Sequence, residues 1–363
     1  MTSAAPAAVP SGAGRAIEVQ GRTIAAGAPL FVVGELSGNH GGSLERALGI
    51  VEAVAVAGAS AVKLQTYTAD TITIDCSAPA FRLRDDHELW GGRNLHDLYS
   101  EAQTPWEWHR PLFQRAHQLG LVAFSSPFDP SAVAFLEELD CPLYKVASAE
   151  LVDRPLLREI ARTGKPVMVS TGMASLAEID QAVTALRQAG TAELVLLVCQ
   201  AAYPARPQDV RLANLELLSR AFDCPVGLSD HSLGIGVAVA AAALGAVCVE
   251  KHVTLDRHDG AVDSAFSASP AELAQLVEAV EQARLSSRAP AGFGPSEAEA
   301  AVWGLRRSLF VTTAVAAGDE VTADNVRSIR PSGGLDPDQL GLVLGRRFRR
   351  AVAAGTPLTW DLV

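Results

Sequence analysis

The sequence predicts a closed (β/α)8 barrel followed by a small, mainly β domain, and three observations carry that expectation. Short apolar, β-branched runs alternate with longer amphipathic segments, the alternation keeps its phase along most of the chain, and eight such runs are present. Eight strands each followed by a helix suit a closed α/β barrel better than an open doubly wound sheet. The runs fall at 30–36, 61–67, 121–126, 144–148, 166–171, 194–200, 226–230 and 248–253. Amphipathic stretches at 43–57, 105–119, 130–139, 175–188, 235–244 and 270–284 lie between and after them, with Gly58, Gly120, Gly164, Gly190 and Gly245 as stop signals. No GxGxxG follows the first run, which counts against a dinucleotide fold.

The domain reading follows from the same pattern: a tail at 1–16, the barrel at 17–285, a Ser, Pro, Ala and Gly-rich linker at 286–306, and the small domain at 307–363. In the small domain, β segments are expected at 308–315, 325–330 and 345–351. An insertion at 68–103, carrying Trp90, Arg93 and Tyr99, is longer than an ordinary βα loop and is expected to cover something.

Composition narrows the partners. With 41 Asp+Glu against 30 Lys+Arg the formal charge is −11. Such a chain has no long-range field to gather nucleic acid, although a few local lysines suffice for a small anion. Five cysteines without a CxxC pair read as reduced thiols, and the residues carry neither an export signal nor an uncharged run of membrane-spanning length. These features predict a cytoplasmic protein with no membrane partner.

Barrel strands present their C-terminal ends to the active site, so polar residues there are functional candidates. The ends supply Glu35; Lys63 and Gln65; Ser125 and Ser126; Lys145, Ser148 and Glu150; Ser170 and Thr171; Gln200 and Tyr203; Ser229, Asp230 and His231; and Glu250, Lys251 and His252. His231 and His252, on adjacent strands, can offer two imidazoles to one divalent ion and leave positions open for water and substrate. Lys63 and Lys145, ringed by serine hydroxyls, suggest a phosphate cradle; a Schiff-base lysine or a salt bridge to Glu35 are the competing readings.

The strings GELSGNHGGSLERAL, AVKLQTY, FSSPFD, YKVASAE, STGM, GLSDHS, VEKH and GAVDSAFS, in that order, resemble the bacterial sialic acid synthase family. Within it, the insertion is more similar to the pseudaminic acid synthases than to enzymes making N-acetylneuraminate. The C-terminal segment from Arg307 resembles the antifreeze-like (SAF) domain of that family, including an RPG-type loop at Arg330-Pro331-Ser332-Gly333.

The resemblance implies a condensation of phosphoenolpyruvate with an amino-sugar aldehyde, giving a nonulosonic acid and phosphate. It implies a divalent metal, Mn2+ or Mg2+ with Co2+ as a further candidate, at His231 and His252. Phosphoenolpyruvate is expected on Lys63, Ser126, Lys145, Ser148, Ser170 and Ser229, and the sugar on Glu35, Gln65, Glu150, Tyr203 and Asp263. Arg330 would reach the sugar from a partner subunit in a domain-swapped homodimer. Glu250 or Asp230 would position the water, with Glu35, Lys63 and Lys145 completing the catalytic group.

One departure stands out at Cys199-Gln200-Ala201-Ala202-Tyr203, where the family usually has Thr and then Asn or Ser before the tyrosine. It keeps open a related synthase using another aldehyde: N-acetylmannosamine, mannose, a legionaminate precursor or a specialised metabolite. A metal-dependent barrel hydrolase or class II aldolase would use the histidines but not the phosphate cradle. A carbohydrate- or ice-binding protein is suggested by the small domain alone. Trp106 and Trp108 are read as packing, and the basic run Arg346, Arg347, Arg349 and Arg350 as a solvated face.

Overall fold

Every apolar run becomes a strand. The computed structural model describes residues 15–86 and 89–363; the tail read at 1–16 lies outside them but for Arg15 and Ala16. A hairpin comes first, β1 (Ile17–Val19) and β2 (Arg22–Ile24), turning at Gln20 and Gly21 with φ of +48° and +79°. The barrel strands follow as β3 (Phe31–Glu35), β4 (Ala61–Thr66), β5 (Val122–Pro127), β6 (Tyr144–Val146), β7 (Val167–Ser170), β8 (Leu194–Cys199), β9 (Val226–Asp230) and β10 (Cys248–His252). They pair in parallel and in sequence order, and β10 closes on β3.

Local chemistry sets the helices between them. Ser175 with Glu178 and Ser269 with Glu272 form capping boxes that start the helices Leu176–Ala189 and Pro270–Arg288. Gly190 ends the first of these at φ +119°, a conformation that disfavours a side chain. Leu156, Leu157 and Ile160 of the helix Arg154–Arg162 are buried against the sheet in one continuous core. Each such aliphatic side chain contributes about 1.5–3 kcal/mol. Gly227 is required by packing, since a Cβ there would strike Cys248 Sγ and the backbone of the same residue.

The hairpin lies at the opposite end from the strand C-termini. Ile17, Val19 and Ile24 join the barrel core, and Arg22 donates to the carbonyl of Gly120, just ahead of β5, at 2.9 Å. The described part of the insertion holds helical turns at Ala69–Ile72 and Pro79–Phe81, an isolated bridge between Arg82 and Asn94, and a helix, Leu95–Ala102. Trp106 stacks on Phe135 at 4.7 Å and Trp108 meets His40 edge-on, so both tryptophans pack.

The chain divides into two units after Ala289. The last barrel helix runs to Arg288, three residues into the segment read as linker, and that segment also holds helical turns at Glu297–Ala300 and Trp303–Leu305. In the second unit β11 (Ser308–Val311) pairs antiparallel with β12 (Val326–Ile329) around Leu309, Val311, Val326, Phe348 and Leu358. The third β segment forms only an isolated bridge, Arg347 with Glu320, and Val352 just beyond it bridges Val315. No helix among the described residues is long and apolar enough to cross a membrane.

Candidate active site

Alternation decides which groups enter the barrel mouth. Successive side chains of a strand face opposite sides, so in β10 Cys248, Glu250 and His252 share one face while Lys251 takes the other. Register carries the inner face around the barrel: His252 lies beside Glu35, Glu35 beside Lys63, Gln65 beside Ser126, Cys199 beside Ser229, and Ser229 beside Glu250.

Lys63 is the hub of a buried charge cluster. Its Nζ lies 3.1 Å from Glu35 Oε2 and 3.1 Å from Glu250 Oε1, and donates to Ser126 Oγ at 3.3 Å. Lys145 Nζ lies 3.7 Å from the same Glu250 oxygen, which also accepts from Ser229 Oγ at 3.3 Å. Burial lifts the Glu35 carboxyl to about 6 against the pull of Lys63. Burial also acts to raise Glu250, but Lys145 and Lys63 outweigh it and hold that carboxyl down at about 2. Glu250 is thus a fixed anion while Glu35 takes up a proton at higher pH than an ordinary carboxylate, an arrangement that separates their roles.

The histidines form the other half of the mouth. Their ring centroids are 5.3 Å apart. His231 Nδ1 donates to the Gln200 carbonyl at 2.8 Å, which leaves Nε2 with its lone pair. His252 is held neutral by burial and by the neighbouring His231, and its Nδ1 is buried without a hydrogen-bond partner, 4.0 Å from Asp263 Oδ2. One imidazole anchored through Nδ1 and one held neutral with an unspent nitrogen fit a divalent cation, which would displace the proton that Cys199 and the Gln200 carbonyl favour on His231. Among the described residues no group of three or more His, Cys, Asp or Glu is placed to hold a metal. A cation on this pair would therefore complete its shell with water or substrate.

Further polar groups ring the same opening. Gln65 donates to Glu35 Oε1 at 2.9 Å and to Ser37 Oγ at 3.0 Å, and Ser37 donates in turn to Asp263. Ser148 accepts from the Gly172 amide at 3.1 Å. Glu150, Ser170, Glu250 and His252 each keep a buried polar atom without a hydrogen bond. Buried polar groups are ordinarily satisfied, so such a concentration at one end of the barrel marks the place of a polar ligand.

Among the expected barrel residues Asp230, Lys251 and Ser125 do not join this cluster, and Arg330 belongs to the second unit. Asp230, read as a candidate base, is turned to the outer face by the alternation that brings Ser229 inward. Its Oδ2 accepts from Lys251 Nζ at 2.7 Å and its Oδ1 from the amide and hydroxyl of Ser232 at 3.0 and 2.7 Å, so no capacity is left for chemistry. Arg330 is exposed just beyond β12 of the second unit. Ser125 also faces outward, bonded to Thr66 Oγ1 at 2.6 Å.

The sequence reading names Tyr203 for the sugar and Trp90 on the covering insertion, but not their meeting with Phe266. Tyr203 lies 4.3 Å from His231 between ring centroids, Phe266 lies 5.0 Å from His252, and Trp90 of the insertion lies 5.9 Å from Tyr203. Phe266 sits in the GAVDSAFS string without having been singled out, and no local pattern aims Trp90 at the histidines.

A model of the NeuB family matches residues 50–289, from the first barrel helix to the end of the last. The chain belongs to the NeuB family. A SAF domain model matches residues 306–363 of this NeuB chain. It is 37% identical to the pseudaminic acid synthase of Helicobacter pylori over 92% of its own length and 97% of that protein's. Against the pseudaminic acid synthase of Campylobacter jejuni serotype O:2 the identity is 38%, over 91% and 95%. Among solved structures it resembles an N-acetylneuraminic acid (sialic acid) synthetase from Leptospira borgpetersenii in complex with citrate, with 29% identity and a TM-score of 0.70 over 80% of this chain and 95% of that one. The departure at residues 199–203 leaves the histidine of this NeuB site in place, because the Gln200 backbone, not its side chain, holds His231.

Proposed function

We propose that the chain is a pseudaminic acid synthase, condensing phosphoenolpyruvate with 2,4-diacetamido-2,4,6-trideoxy-L-altrose. The observation that carries this reading is the 37–38% identity to two pseudaminic acid synthases over nine-tenths of the chain. The charge cluster at the barrel mouth supports it. Lys63 and Lys145, with Ser126, Ser148, Ser170 and Ser229, offset and orient the phosphate and carboxylate of phosphoenolpyruvate. Glu35, Gln65, Glu150, Tyr203 and Asp263 orient the sugar so that C3 of phosphoenolpyruvate meets the aldehyde carbon. That C–C bond forms, water adds to C2, and the C2–O bond breaks to release phosphate. Glu250, fixed as an anion beside both lysines, favours the positive character that develops at C2. A divalent cation on His231 and His252, Mn2+ or Mg2+, supplies Lewis acidity toward the aldehyde oxygen when bound.

The resemblance also supports a homodimer in which the SAF domain of one protomer covers the other's barrel and brings Arg330 to the sugar, excluding water from a reactive enol phosphate. The test of the function is phosphate release from phosphoenolpyruvate with the altrose derivative, N-acetylmannosamine and mannose in parallel, before and after chelation. Turnover of the altrose derivative alone, lost with chelator and restored by Mn2+, is the expected result. Turnover confined to N-acetylmannosamine or mannose would overturn the substrate, and turnover that survives chelation would overturn the cation.

A further inference from the structure

The proposed substrate carries methyl groups on both acetamido substituents and at C6, where it lacks a hydroxyl. Recognition of such a sugar needs apolar surface as well as polar groups, and the inference drawn here rests on that functional reading. The two sides of the mouth differ in what they offer. Lys63, Lys145, Glu35 and Glu250 present charge, whereas beside the histidines three aromatic rings meet. Tyr203 and Phe266 are 5.1 Å apart between centroids, and Trp90 lies 5.9 Å from the first and 6.3 Å from the second.

Trp90 is the member of this group that the barrel does not itself supply. It comes from the insertion after β4, and its indole N–H donates to the Val262 carbonyl at 3.0 Å. That bond fixes one edge of the ring, while the ring as a whole stays half-buried rather than enclosed in a core. Val262 stands next to Asp263, whose carboxylate accepts from Ser37 and lies 4.0 Å from His252. The indole is thus anchored to the segment that carries one of the polar groups of the mouth.

We propose that Trp90 is a specificity-determining residue: with Tyr203 and Phe266 it forms an apolar wall that receives the methyl groups of a di-N-acetylated, 6-deoxy aldehyde. A hydroxyl at C6 would lose its hydration against this wall without gaining a partner, which disfavours the 6-hydroxy sugars. A pocket of this kind discriminates by about 10–200-fold for each carbon it accommodates.

The test measures kcat/KM by phosphate release for the full chain, Trp90→Ala and Trp90→Phe on the altrose derivative, N-acetylmannosamine and mannose. Trp90→Ala is expected to lower kcat/KM for the altrose derivative by about 10–100-fold while any rate on N-acetylmannosamine or mannose, at or below detection in the wild type, does not fall with it. Trp90→Phe is expected to keep most of the rate on the altrose derivative, and the KM for phosphoenolpyruvate to move by less than about twofold, because the lysine cradle is untouched. Equal losses on every sugar, or an unchanged kcat/KM for the altrose derivative, would overturn the assignment. If the wild type uses N-acetylmannosamine but not the altrose derivative, the functional reading fails, and Trp90 is judged on the ratio of N-acetylmannosamine to mannose. If no sugar releases phosphate, titration of intrinsic fluorescence with the same sugars decides. An emission change lost in Trp90→Phe supports the wall, and an identical or absent response in both proteins overturns it.

Discussion

Two buried lysine–carboxylate pairs adjoin one another along β10 and face opposite ways. Outward, Lys251 meets Asp230, and every oxygen of that carboxylate is already bonded to Lys251 or to Ser232. Inward, Glu250 meets Lys63 and Lys145 through one oxygen, while its other oxygen has no partner. Both join lysine to a carboxylate, and both are nearly without solvent exposure. What differs is completeness: the closed pair secures one strand to the next, and the open cluster keeps unspent bonding capacity facing the mouth. Burial and charge alone therefore do not mark a site; several unfinished hydrogen bonds gathered in one place do.

Substitutions can break this contrast from either side. The largest effect is expected from Lys251→Met, which strands Asp230 as an unpaired buried charge and lowers the free energy of unfolding by about 3–5 kcal/mol. Urea titration reads that loss, and the double variant Lys251→Met with Asp230→Leu is expected to recover much of it. The KM for phosphoenolpyruvate of the folded fraction should stay near the wild-type value. Lys145→Met should do the reverse, lowering kcat/KM for phosphoenolpyruvate by about 10²–10³ through a lost charge partner while the urea midpoint moves far less. The smallest effect belongs to Ser229→Ala, which removes one 3.3 Å hydrogen bond to Glu250. It should cost about 0.5–1.5 kcal/mol, read as a few-fold fall in kcat/KM, because two lysines still hold the carboxylate. A variant pair in which Lys251→Met abolished catalysis and Lys145→Met unfolded the chain would invert the comparison.

The barrel was legible because its signal is repeated: eight apolar runs, each bounded by turn chemistry, leave little freedom in the strand positions. The charged half of the mouth was legible for a related reason, since Lys63, Lys145 and Glu250 stand in apolar strands where nothing else explains them. Asp230 was misassigned because strand ends were read as wholes, although the period of two within SDH already separates Ser229 and His231 from Asp230. The pairing of Lys63 with Glu250 rather than with Glu35 alone depends on β10 closing beside β3, a long-range event with no local trace. Trp90 was named on a covering insertion, but its place beside Tyr203 and Phe266 has no local trace for the same reason. The hairpin at Ile17–Val19 and Arg22–Ile24 is too short for periodicity to register, yet Gln20-Gly21 is a legible turn.

That hairpin has a consequence for traffic. With Ile17, Val19 and Ile24 buried against the far end, and the interior of such a barrel filled by its own side chains, the mouth at the strand C-termini is approached from one side. Whatever settles deepest must arrive first and leave last. A small anion bound among the lysines beneath a sugar would be trapped until the sugar, or the product made from it, had departed. In a vessel with one opening, the order of events is set by depth.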